Sequence, residues 1–150
     1  MMKRLLNRFK ACSGVVDTQD HAGVIGHHAG HMPLWAFLSQ TDLTKPGPKI
    51  KALIANVERS EEGMVETLHN LSNSIRDSVE YGTGSTAVTT SAEEAVTEGR
   101  GVCQDHAHIF CSAARLLGLP ARYVSGYLMM NDRVEQDASH AWAGAFFEGR

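Results

Sequence analysis

Three cysteines in 150 residues, Cys12, Cys103 and Cys111, cannot all pair, and their spacing suggests no disulfide framework. A reducing, cytoplasmic setting is the expectation. The formal net charge of -3 leaves no basic footprint, so nucleic acid is not an expected partner. Nowhere does an apolar run approach the roughly 18 residues that a membrane span requires. The opening Met1-Met2-Lys3-Arg4 has the charge of a secretory leader, but the apolar core of about 7 to 15 residues does not follow. Internal repeats and low-complexity tracts are absent too. What is left, with 43% hydrophobic and 21% charged residues, is ordinary globular composition, enough for one domain with a sizeable core.

Organisation changes near residue 45. Residues 1–45 carry little periodicity, with Gly23, Gly26, Gly30 and Pro33 scattered around a short apolar run, Leu34 to Leu38, and read as an extended N-terminal segment. Residues 46–150 are patterned. After Pro46-Gly47-Pro48 the sequence predicts a short helix from Lys49 to Val57 and a second one capped by Ser60, with Glu61 and Glu62 in its first turn. Met64, Leu68, Leu71, Ile75 and Val79 give the second helix one apolar face, and it should end by Gly82. Thr90-Ser91-Ala92-Glu93 reads as a capping box for a short helix ending at Gly99. A helix from Cys103, a strand from Ala121 to Met129, a polar loop from Asn131 to Ser139 and a strand opened by His140 follow. Helices first and strands afterwards argue an α+β fold.

The chemistry gathers at two places. Cys103 stands in the first turn of its helix, where the dipole favours a thiolate, and an imidazole is the other device that makes a thiol nucleophilic at neutral pH. His140 is the candidate imidazole, because a histidine at the head of a strand can lean over a helix N-terminus. Cys111 lies inside the same helix and reads as core. Asp105 suits the first turn as a cap, and Gln104 could offer an amide to an oxyanion. A zinc reading of Cys103, Asp105, His106 and His108 fails on geometry, since successive helix residues turn by about 100° and the four cannot converge on one ion. His21, His27, His28 and His31 sit in a glycine-rich stretch and read as a solvated loop. No metal and no cofactor is expected.

Gly101-Val102-Cys103-Gln104-Asp105-His106-Ala107-His108 is followed by Arg115, Gly118 and Pro120-Ala121-Arg122-Tyr123-Val124-Ser125-Gly126-Tyr127, then by Ser139-His140-Ala141-Trp142. In this order and spacing the motifs resemble the transglutaminase-like superfamily, and the match is close to its bacterial branch of cysteine protease-like members. The resemblance implies a papain-like core in which N-terminal helices pack on an antiparallel sheet. It also implies a Cys-His-Asp catalytic set, whose cysteine falls on Cys103 and whose histidine falls on His140. The aspartate of that set comes one strand later, in a segment resembling Gly-Trp-x-x-Phe-Asp-Pro, beyond Arg150. Residues 1–45 resemble a linker leading from an N-terminal domain into this core.

Two functions follow as expectations. One is thiol-dependent acyl transfer on amide bonds of a peptide or protein, as a cysteine protease or amidase if water resolves the thioester and as a transglutaminase if an amine does. The other is a weak or inactive homologue that serves only as an interaction module, with an open sheet edge inviting self-association.

Overall fold

The computed structural model describes residues 31–57, 60, 63–128 and 139–148, with isolated positions at 15, 17, 19 and 23. Its elements in chain order are a 3-10 turn at Leu34–Leu38, helices α1 (Pro48–Ala55) and α2 (Met64–Ser78), strand β1 (Glu80–Tyr81), helix α3 (Ala92–Glu98), strand β2 (Arg100–Gly101), helix α4 (Cys103–Leu116), and strands β3 (Ala121–Gly126) and β4 (His140–Ala145). No helix among the described residues is long and apolar enough to cross a membrane.

Helix α4 is the axis on which everything packs. Ile109 and Ala113 lie four apart on one face and join Ile50 and Leu53 of α1, Leu71 and Ile75 of α2, Val79, and Ala92 and Ala95 of α3 in the main core. Cys111 and Ala114 occupy the opposite face and pack on Ala121 of β3, with Ala143 and Ala145 of β4 beside them. A third side is polar yet buried: Asp105, His108 and Ser112 recur at i, i+3 and i+7. The helix is therefore enclosed by helices on one side and by an antiparallel β3–β4 sheet on the other.

Several boundaries differ from the sequence expectation, each for a local reason. Helix α2 starts after Gly63, whose φ of 124° takes the left-handed freedom of glycine, rather than at Ser60. The Ser60 N–H instead donates to the Thr67 hydroxyl at 3.1 Å. Glu61 and Glu62 lie outside the described residues. The capping box of α3 is shifted by one residue: Ser91 is the cap, and its N–H donates to the Glu94 carboxylate at 2.8 Å. That shift frees Glu93 to cap a different helix. Its carboxylate accepts from the N–H groups of Gly47, Lys49 and Ile50 at 2.9, 2.7 and 3.1 Å, closing the start of α1, which has no side-chain cap of its own. Strand β3 ends at Gly126, and Met129 and residues 131–138 of the anticipated polar loop lie outside the described residues.

Arg115, near the end of α4, ties three segments together. Its guanidinium donates to the Phe37 carbonyl at 3.0 Å, the Thr44 hydroxyl at 2.9 Å and the Ala121 carbonyl at 2.8 Å. Gln40 adds a hydrogen bond from its amide to the Ser112 carbonyl at 3.0 Å. Residues 37–44, although lacking periodicity, are thus anchored along α4 by side chains that reach backbone acceptors.

Candidate active site

Cys103 is the first residue of α4, with Val102 as its N-cap. Valine has no side-chain acceptor, so no cap bond closes the first turn from that residue. Asp105 supplies the other half of a capping box, accepting the Val102 N–H at 2.8 Å. It is fully buried, and the Thr86 hydroxyl donates to the same oxygen at 2.6 Å. Gly101 must be glycine for this arrangement, since a Cβ there would stand 2.8 Å from Asp105 Cβ. The capping role expected of Asp105 is met, and Thr86 is a partner no sequence pattern announced.

Parallel pairing of β1 with β2, Glu80 opposite Arg100 and Tyr81 opposite Gly101, fixes the approach to α4. His106 adds a second tie, one ring nitrogen lying 2.9 Å from the Val102 carbonyl and the other 3.1 Å from the Val79 carbonyl. The start of α4 is therefore held to the end of α2. His106 is thus committed to backbone, and Asp105 to Val102 and Thr86.

Cys103 heads the stripe Cys103, Ala107, Cys111 and Ala114, which faces the sheet. Along this stripe exposure falls sharply. Cys103 is half-buried, whereas Cys111 is fully buried. Burial pushes the Cys111 thiol up to about 11, an effect that Arg115 partly offsets. Only one of these two sulfurs is open to reaction.

His140 is half-buried and pairs with Gly126 across the ladder. Its height follows from the register. Ala121 and Ala145 are cross-strand partners packed on Cys111 and Ala114, and Tyr123 comes next beside His108, so the sheet climbs toward the start of α4. From Ala145 to His140 the strand rises about 17 Å at roughly 3.3 Å per residue. From Ala114 to Cys103 the helix rises about 17 Å at 1.5 Å per residue. His140 therefore stands at the end of β4 away from Ala145, beyond Tyr123 in the direction of the start of α4.

Alternation adds a qualification the sequence did not give. Ala141, Ala143 and Ala145 take the face toward α4, so His140 and Trp142 share the other face, with ring centroids 4.6 Å apart in an edge-to-face contact. The indole also covers Gly126, where a Cβ would meet its Cζ3 at 3.2 Å. No hydrogen bond joins His140 to Cys103 or to a carboxylate among the described residues. Asp132 and Asp137 lie outside those residues, and Glu148 follows β4 as an exposed side chain. Gln104 sends its amide toward the Val88 carbonyl at 3.4 Å.

His108 is a site feature that sequence reasoning left aside. Only 7% exposed, it packs its ring on Tyr123 at 5.0 Å, and its Nδ1 has no hydrogen-bond partner among the described residues. Burial holds its pKa below the ordinary 6.5, with Asp105 pulling upward and Arg115 adding to the lowering. The folded protein thus favours the neutral ring, and the unfolded chain binds the extra proton first as pH falls. Stability present above pH 6.5 is lost below it, at up to about 1.4 kcal/mol per pH unit for one proton. Urea unfolding between about pH 7 and 5 should show this decline, and His108→Gln should flatten it. Equal slopes in both proteins would assign the decline to other groups.

A helix-borne cysteine facing an antiparallel sheet, with a histidine at the head of a neighbouring strand, defines the class of papain-like thiol folds. Residues 51–150 match the model of the transglutaminase-like superfamily core, and the chain belongs to that superfamily. A crystal structure from Cytophaga hutchinsonii, described as a candidate cysteine protease, superposes with a TM-score of 0.66 at 29% identity, over 77% of this chain and 39% of that one. An uncharacterized protein of Mycobacterium tuberculosis is 39% identical over 89 residues, 55% of this chain and 28% of the relative. One from Mycobacterium leprae is 39% identical over 79 residues, 49% of this chain and 28% of the relative. The matches thus span less than a third of these curated relatives. The α+β, papain-like transglutaminase core expected from the motifs is the fold observed.

Proposed function

We propose that the chain carries the thiol centre of an acyl-transfer enzyme acting on amide bonds of peptides or proteins, with Cys103 as nucleophile and His140 as its base. The observation that carries this reading is the position of Cys103, half-buried at the uncapped first turn of α4, on the stripe that faces the sheet. In this reading His140, at the head of β4, takes the thiol proton, which requires its ring to leave Trp142 and the end of the strand to turn the side chain toward α4. The sulfur attacks the amide carbonyl, and the N–H groups of the first helical turn receive the oxyanion. His140 then protonates the departing amine. Likeness to a candidate cysteine protease favours water as the second acceptor, which makes the reaction hydrolysis.

Selective alkylation tests the nucleophile. Iodoacetamide at about pH 6 to 7, followed by peptide mass analysis, should label Cys103 far faster than Cys111, whose buried thiol keeps its proton until about pH 11. Equal labelling of the two, or reaction of Cys103 only above about pH 8, would remove Cys103 from the role.

A further inference from the structure

Tyr123 is the one large side chain in a row of small ones. The sheet presents Ala121, Tyr123 and Ser125 from β3 and Ala141, Ala143 and Ala145 from β4 toward α4, and Tyr123 is paired with Ala143. On the helix the facing stripe is equally small, Ala107 and Cys111 below Cys103. Small residues on both sides let the strands approach the helix closely, and Tyr123 then has to leave the interface toward its open end. It does so, with its ring against His108 and 37% of its surface exposed. A structural core tyrosine would be enclosed on all sides. This one leans on a buried imidazole in the second turn of α4 and keeps part of its surface open.

We propose that the Tyr123 hydroxyl is a catalytic hydrogen-bond donor to the oxyanion formed when Cys103 attacks a carbonyl. The proposal rests on Cys103 being the nucleophile. A phenol serves this purpose only while it keeps its proton, and its surroundings favour that: burial first, then the negative charges of Cys103 and Asp105, push its pKa up. Its place on the sheet face toward α4, one pair of residues beyond Ala121 in the direction of the start of the helix, puts the phenol on the side of the Cys103 stripe. Gln104, the other side chain that could have offered a donor, is directed to the Val88 carbonyl. Since Val102 contributes no acceptor, the N–H groups of the first turn are available as companion donors.

The step balances without any further reagent. The sulfur–carbon bond forms as the carbonyl π pair moves onto oxygen, and the Tyr123 O–H donates a hydrogen bond to that oxygen while retaining its proton. Collapse restores the carbonyl and breaks the bond to the leaving group, which takes its proton from His140. Tyr123 ends as it began.

Two reagents separate this role from every other. p-Nitrophenyl acetate acylates the sulfur through an oxyanion, whereas iodoacetamide alkylates it by displacement at a saturated carbon and develops none. Tyr123→Phe keeps the ring on His108 and deletes one partly exposed hydroxyl, so folding, checked by urea midpoint, should survive. In the whole chain, single-turnover acylation by p-nitrophenyl acetate should fall by about 10²-fold or more, while alkylation changes by less than about threefold. If both rates hold, Tyr123 has no such role and the Cys103 assignment stands. If both fall together, the hydroxyl acts on the thiol or on the fold, and the proposal is again overturned. If the wild-type chain acylates no faster than Cys103→Ala, the nucleophile itself is wrong and the proposal goes with it.

Discussion

Replacing His140 with alanine is expected to slow acylation of Cys103 by p-nitrophenyl acetate at about pH 7 by 10²-fold or more, with partial recovery on adding imidazole. The expectation has a physical source in the thiolate requirement. A helix N-terminus alone favours the charged sulfur by only about 0.3 to 1 kcal/mol, too little to ionise an ordinary thiol fully at neutral pH, so the remaining activation must come from an adjacent base. His140 stands at the head of β4, with its ring edge-on against Trp142. Losing that edge contact costs about 0.5 to 1.5 kcal/mol, so the variant's urea midpoint must be compared to exclude unfolding. A folded His140→Ala variant that acylates at the wild-type rate would falsify the pairing and leave the alternation of β4 as the true description of where the imidazole belongs.

Arg115→Met should lower the unfolding free energy by about 3 kcal/mol, the largest stability loss expected from a single partly exposed side chain here. Methionine keeps much of the apolar stem, so the change isolates the guanidinium. Its removal takes a donor away from the carbonyls of Phe37 and Ala121 and from the hydroxyl of Thr44, which keeps its contacts with Thr41. Charged hydrogen bonds contribute about 1.5 to 3 kcal/mol each, and the sum is reduced because part of the site can take up water. Arg115→Lys should recover only a fraction, since an ammonium lacks the planar fork that spans three acceptors. Urea titration of the three proteins gives the comparison, and a Met variant within about 0.5 kcal/mol of wild type would mean that residues 37–44 hold to α4 by packing alone.

The same residues show where sequence reading succeeds and where it stops. Helix α4 was legible because its apolar positions repeat at helical spacing and Pro120 ends the segment, and Cys111 was legible as core for the same reason. The family fold was legible from three motifs kept in order. Glu93 was misassigned because two serine/threonine–glutamate pairs overlap, Thr90 with Glu93 and Ser91 with Glu94, and only the tertiary position of α1 decides which glutamate is free to cap it. The Thr86 hydroxyl and the short β1–β2 pairing depend on contacts distant in sequence, which leave no periodic trace. Strand alternation puts Tyr123 on one face with Ser125, but its meaning lies in the alanines opposite, and register is what reveals them. His140 could be placed at a strand's head, yet which side of the strand it takes required Ala143 and Ala145 to be seen packing on α4.

Val102 has a consequence for how this helix trades firmness against use. A serine, threonine or aspartate before Cys103 would close the first turn at a gain of about 1 kcal/mol. The same oxygen would also become a permanent competitor, lodged among the donors that a reacting carbonyl needs. Valine concedes that stabilisation and keeps the turn vacant, while Asp105 satisfies the one N–H that is not wanted for anything else. The start of α4 is thus held by its neighbours, through Asp105 and His106, and not by a cap of its own, so a consensus-style repair of the cap would firm the helix while filling the space over its first turn.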